Sequence, residues 1–201
     1  MSLANYSGLS TAIATWGTRT YSQDQLDDFI LLAESVMNRR LGAHYTRETS
    51  TTLSLTSGSV ALPTGFVRAL SLVHTTYGPL NEKSIAAVRE RRVWDDGGIP
   101  YIFAVTGTTI EVASVYTGNL TLDYEAKLTA LSSGNATNWM LTAAPDAYLF
   151  YCRAAQAAFE EEFEQAAIFE AKGATAVDEL TQQSTVAKIS KAVVHLPGAT
   201  P

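Results

Sequence analysis

The chain holds one cysteine, Cys152, in 201 residues. No intrachain disulfide is possible, and no thiolate metal cluster can be built. Cys152 falls on an apolar helical pattern, which reads as a buried, inert thiol rather than a nucleophile. Histidine is nearly as scarce. His44, His74 and His195 show no metal-ligand spacing, so structural or surface roles are expected. Charged residues make up only 17%, which points to surface buried in an assembly. Basic residues are the scarcer kind, 14 against 20 acidic, leaving a net charge of −6. An electrostatic reader of nucleic acid carries a basic face, so that class is excluded. A wall past which DNA slides without sticking is not. No apolar stretch reaches the roughly 20 residues of a spanning helix. The first residues lack a charged segment followed by an apolar run, so no signal peptide is expected. Neither a Walker-type phosphate loop nor a Gly-x-Ser-x-Gly elbow occurs. No catalytic residue, metal or cofactor is expected.

Hydrophobic residues make up 46%, enough for a packed core. The length suits one domain, or one core carrying an insertion. The start is helical. Leu9, Ile13 and Trp16 share one face of a short helix. Ser22 and Gln25 form a capping box, Asp24 lies in the first turn, and Arg39 and Arg40 lie in the last. With Leu26, Phe29, Ile30, Ala33, Met37 and Leu41 in helical spacing, this predicts a helix over 23–41, stopped by Gly42. The middle changes period. Strands are expected over 49–55, 60–62, 66–76, 101–105, 109–115 and 120–128, with a short helix or loop over 85–94. Tyr116-Thr117-Gly118-Asn119 is the best hairpin turn signal. The strands read as too short and close for βαβ units, so an antiparallel sheet or small sandwich is expected. Helices return from Asp146 through Glu162 and again around Phe169 to Leu180. Ala157, Ala158, Ala166, Ala167, Gly173 and Ala174 let the two approach closely.

The fold class is therefore α+β. N-terminal helices (1–45) and a C-terminal helix pair (131–183) form a helical bundle around an inserted β-sheet (46–130). An extended C-terminal arm (184–201) follows. The arm mixes Val186, Ile189, Val193, Val194 and Leu196 with Lys188, Lys191 and His195, and contains no acid. It suits edge-strand addition or groove binding on another chain.

The stretch 138–151 concentrates aromatic mass at a helix start. Pro145 suits the first helical position, and Asp146 favours the dipole's positive end. Trp139, Met140 and Leu141 can fold back on the first turns. Trp139, Leu141, Pro145, Tyr148 and Leu149 are read as a structural anchor, with Trp139→Ala costing about 3–5 kcal/mol. Three charged groups invite chemistry. Asp95 and Asp96 form an acid pair beside Gly97 and Gly98, which favour a solvated turn. Glu160 to Glu164 is a solvated helix end or an acidic contact for a basic partner. The Arg89–Arg92 run suits an intersubunit ion-pair surface better than a phosphate site.

Several landmarks in order resemble the head–tail adaptor (connector) proteins of tailed bacteriophages. They are Ala4-Asn5-Tyr6-Ser7-Gly8-Leu9, Phe29-Ile30-Leu31-Leu32-Ala33-Glu34, Asn38-Arg39-Arg40-Leu41, Leu62-Pro63-Thr64-Gly65-Phe66, Gly98-Ile99-Pro100-Tyr101, Tyr124-Glu125-Ala126-Lys127-Leu128, Asn138-Trp139-Met140-Leu141 and Pro145-Asp146-Ala147-Tyr148-Leu149. The match spans the chain to about Leu180. It implies a structural, non-enzymatic virion protein of the neck, made in the host cytoplasm. It further implies a homo-oligomeric ring of twelve copies beneath the portal protein. Such a ring extends the DNA channel and binds a downstream tail or nozzle protein. DNA passes through the lumen without sequence-specific binding, and no membrane is involved. The C-terminal segment is expected to contact the portal. Two other classes fit less well: a β-rich module binding carbohydrate or a receptor through aromatics of 101–124, and a hydrolase using Asp95 or Asp96 with a glutamate.

Overall fold

The computed structural model describes residues 3–17, 19–41, 48–94 and 98–193, with side chains as far as 183. The expectations placed on Gly42, His44, Asp95, Asp96, Gly97, Val194, His195 and Leu196 lie outside the described residues. The chain divides into two compact units: Met1–Thr46 with Leu128–Pro201, and Arg47–Lys127.

The described residues of the first unit form five helices. α1 (Tyr6–Trp16) begins a turn earlier than its apolar pattern suggests, because the Asn5 side chain accepts from the Gly8 N–H at 2.8 Å. α2 (Gln23–Arg40) carries the capping box between Ser22 and Gln25. A long connection through Leu128 and Leu131 leads to α4 (Trp139–Ala143) and α5 (Pro145–Phe159). Pro145 and Asp146 occupy the first turn of α5. That helix stops at Phe159, before the expected Glu162. Glu161 takes a left-handed φ of 66°, and the chain reverses into α6 (Phe163–Val193). The helices share one core, in which Ile13, Ile30, Met37, Met140, Tyr148 and Cys152 are at most 2% exposed.

The extended arm is corrected at this point. The α6 backbone runs unbroken to Val193, so Val186, Lys188, Ile189, Lys191 and Val193 lie on a helix about 46 Å long. No Gly or Pro stands between Gly173 and Pro197. Alanine and lysine favour the helix here, and the β-branched residues oppose it only weakly.

Among the described residues the second unit is one seven-stranded sheet in the order β1-β7-β3-β4-β5-β6-β2, with a helix, α3 (Ile85–Arg92), joining two of its strands. The strands are β1 (Glu48–Leu55), β2 (Ser59–Ala61), β3 (Phe66–His74), β4 (Gly78–Glu82), β5 (Ile102–Thr106), β6 (Thr109–Val112) and β7 (Gly118–Ala126). The outermost strands, β1 and β2, are consecutive in the chain. They meet at the bridge Thr56↔Ser59, so the sheet curls nearly closed on itself rather than stacking as a sandwich. Its interior holds Leu55, Leu72, Phe103, Ile110, Leu120 and Leu122. The Ser57-Gly58 turn has both φ values positive, 50° and 76°, the requirement of a two-residue turn whose twist matches the strands.

Two other expectations fail in this unit. Tyr116–Asn119 is not a hairpin turn, because β6 and β7 do not pair; β7 lies between β1 and β3. A βαβ unit does occur. β4 and β5 are parallel, with Asn81 opposite Ile102, and α3 crosses between them. α3 buries Val88 against Ala104 and Ala113.

Candidate interaction surfaces

A buried polar network sets the first unit's helix positions. Glu34 and Asn38, one turn apart on α2, accept the backbone N–H groups of Leu131 (2.8 Å) and Leu128 (2.9 Å). The connection leaving the sheet unit is thus fastened along one face of α2. The Tyr148 hydroxyl donates to Glu34 at 3.1 Å and accepts from Asn138 Nδ2 at 2.6 Å. Asn138 also caps α4 through the Leu141 N–H and donates to the Thr129 carbonyl. Burial holds the Glu34 carboxyl above its ordinary value, against the two hydrogen bonds it accepts. Burial also pushes the Cys152 thiol up, so this cysteine stays protonated and inert.

The residues read as an anchor separate by depth. Leu141, Tyr148 and Leu149 are buried, whereas Trp139 and Pro145 are half-buried. Trp139 still packs against the core. The Arg89–Arg92 run does not wait for a partner. Arg89 grips Glu111 at 2.7 Å, and Arg92 donates to the carbonyls of Val112 and Gly58. These pairs hold α3 to the strand ends, and Arg89 holds the Glu111 carboxyl below the usual carboxylate range. His74 is structural: its Nδ1 accepts the N–H groups of Thr76 and Tyr77 in the β3–β4 turn. Of the aromatics of 101–124, Tyr101 is exposed and Tyr116 half-buried. Phe103 and Tyr124 are buried, and Tyr124 stacks on Phe66.

Apolar surface left open marks the candidate contacts. On α2, Leu31 is 60% and Leu32 54% exposed. The sequence held a signal for them. Five successive apolar residues, 29–33, are more than one buried helix face can use. Phe29, Ile30 and Ala33 turn inward, leaving the two leucines outside. Beside them runs a groove of about 240 Å³ between α2, α5 and α6, lined mostly by Leu32, Val36, Ala154, Ala155, Ala158 and Ala166. Phe159 and Phe163 stand exposed at the α5–α6 corner. The sheet unit has its own open residues at the end of α3: Trp94 is 81% exposed, and Val93, Ile99 and Tyr101 are exposed with it. Among the described residues no three His, Cys, Asp or Glu groups cluster to hold a metal. No described helix is long and apolar enough to cross a membrane.

Residues 4–194 match the sequence profile of the SU10 adaptor protein family. The chain belongs to that family. It is the phage head–tail adaptor family that the ordered landmarks resemble. The adaptor is thus a structural component of a phage virion, and its open surfaces are read in that light. No curated protein matches the adaptor.

Proposed function

We propose that the adaptor assembles as a ring of twelve copies beneath the portal vertex, extends the DNA channel, and presents a surface to the next tail component. The observation that carries this reading is the apolar surface a lone protomer leaves open on both units. On the helical unit it includes Leu31, Leu32 and Phe163; on the sheet unit it includes Trp94. Large apolar side chains left open in this way suit association surfaces. A low fraction of charge supports the same reading. A net charge of −6 also suits a lumen that repels DNA weakly and lets it pass unread. The portal contact is assigned to the segment beginning at Val186 and including Lys188, Ile189, Lys191 and the residues through Leu196. Its described part, to Val193, is the end of a long helix, which suits groove docking better than strand addition.

Purified portal and adaptor test this together. Full-length adaptor is expected to bind portal particles and to add a ring visible by electron microscopy. An adaptor lacking residues 185–201 is expected to bind more weakly. Equal binding by the truncated chain removes the C-terminal segment from the contact. Particles carrying no adaptor density remove the portal reading altogether.

A further inference from the structure

The two strands that border the seam of the nearly closed sheet are guarded differently. β2 is three residues long, and Pro63 follows it closely. A short strand and a proline both blunt an edge against further pairing. β1 has neither device. It runs for eight residues with no lysine and no proline, and its register with β7 is unbroken from Glu48↔Glu125 to Leu55↔Gly118. Among the described residues no backbone hydrogen bond reaches the outer edge of residues 49–55. The seam is first bridged at Thr56, whose N–H donates to the Ser59 carbonyl at 3.1 Å. Thr49, Thr51 and Thr52 are β-branched, the type that suits strand pairing.

A strand added along this edge meets charge of one sign. Leu53 and Leu55 face the interior, so alternation puts Glu48, Ser50, Thr52 and Ser54 on the outer face. Leu122 and Tyr124 are interior as well, which puts Asp123, the register partner of Ser50, outside. A recess of about 450 Å³ opens there, and its charged lining residues are the acids Glu48 and Asp123. Ser71 donates to Asp123 at 2.6 Å from the far side. On the near side Ser50 is small and leaves the way open. A side chain beside Ser50 on an added strand starts two strand spacings, about 10 Å, from β7. A lysine or arginine spans that gap to the Asp123 carboxylate.

We propose that the outer edge of β1 takes an extended, basic segment of another virion polypeptide as an additional strand. Its lysine or arginine lies over Ser50, toward Asp123 and Glu48. Main-chain pairing supplies the affinity, and the recess selects the side chain. The segment is not this chain's own. Outside the described residues the sequence holds one lysine or arginine, Arg47, which directly precedes β1. A second copy's β1 brings the same acids against these. The inference goes beyond the ring and does not depend on it.

Hydrogen exchange over residues 48–55 tests the occupancy. It is measured in the isolated full-length adaptor, monomeric or assembled, and in intact virions. Exchange is expected to be at least about tenfold slower in the virion than in either isolated form. Equal exchange in the virion overturns the proposal. Protection already present in the assembled adaptor alone hands the edge to a second copy and overturns the foreign strand. Short peptides of alternating threonine and valine test the chemistry on the isolated adaptor. One with a central lysine is expected to bind and to protect β1, roughly fivefold more tightly than its glutamate counterpart. The lysine peptide N-methylated at alternate amides is expected not to bind. Asp123→Lys, with the wild-type circular dichroism spectrum, is expected to reverse the preference between lysine and glutamate. Equal binding of the lysine and glutamate peptides to the wild type overturns the basic assignment. Binding that survives N-methylation overturns strand addition.

Discussion

Glu34 is the buried carboxylate on which the helical unit's polar network converges, and its protonation is linked to stability. Burial raises its folded pKa above the ordinary carboxylate value of 4.5. The folded state therefore favours the protonated form. Glu34's stabilising contribution is complete below about pH 4.5 and is lost as pH rises through the folded value. Glu34→Gln keeps a carbonyl for the Leu131 N–H and never titrates. The wild-type stability minus that of Glu34→Gln, from urea unfolding, is expected to fall between pH 4 and pH 7; a rise shows that hydrogen bonding outweighs burial. Tyr148→Phe tests the next link. It removes a donor from Glu34 and an acceptor from Asn138 inside the core. The expected loss is about 1–3 kcal/mol, the cost of leaving buried partners unmet. Trp139 belongs to the same neighbourhood but is only half-buried. The cost of Trp139→Ala drops accordingly from the full-core value to about 2 kcal/mol, measurable by the same unfolding.

At the scale of elements, the sheet's near-closure depends on the turn at Gly58. A Cβ there would stand 2.1 Å from the Ser114 carbonyl oxygen, and φ is +76°. The Gly58 carbonyl also receives Arg92 and the Val112 N–H, tying turn, α3 and β6 together. Gly58→Ala is expected to cost at least about 2 kcal/mol and to loosen α3. Faster hydrogen exchange at Val88 and Val112 than in the wild type is the readout. This junction also shows what a sequence can and cannot announce. Helix ends were legible because capping is local chemistry: Ser22 with Gln25, and Pro145 with Asp146, name their own positions. The parallel β4–β5 pair was not legible. Gly78-Pro79 breaks the strand pattern of β4, and pairing between strands twenty residues apart leaves no local mark. The helical course of 184–193 was missed because β-branched residues were weighed above the absence of a stop signal. The apolar groove was half legible, as two surplus leucines whose neighbours only the fold supplies. The Arg89–Arg92 run misled because its partner Glu111 lies nineteen or more residues away, across a turn that folding brings close.

At the scale of the whole molecule, the sheet unit is an insertion with adjoining ends. Glu48 and Glu125 are register partners on β1 and β7, so the chain enters and leaves this unit within the spacing of one strand pair, about 5 Å. Each unit also has a hydrophobic cluster of its own: one drawn from residues up to Leu41 and from Leu128 onward, the others from Leu53 through Tyr124. The Glu34–Tyr148–Asn138 network and the Asn38–Leu128 hydrogen bond lie wholly in the helical unit. Cutting out residues 48–126 and closing the gap with a four-residue Gly/Ser linker should therefore leave the helical unit folded, because a short loop adds little closure entropy. The expected product shows helical circular dichroism and a single cooperative melt. If it does, the open apolar residues of the helical unit survive in about three-fifths of the mass, and the shortened chain should still self-associate. A shortened chain that folds but stays monomeric, beside a full-length chain that assembles, would move the ring contact onto the sheet unit.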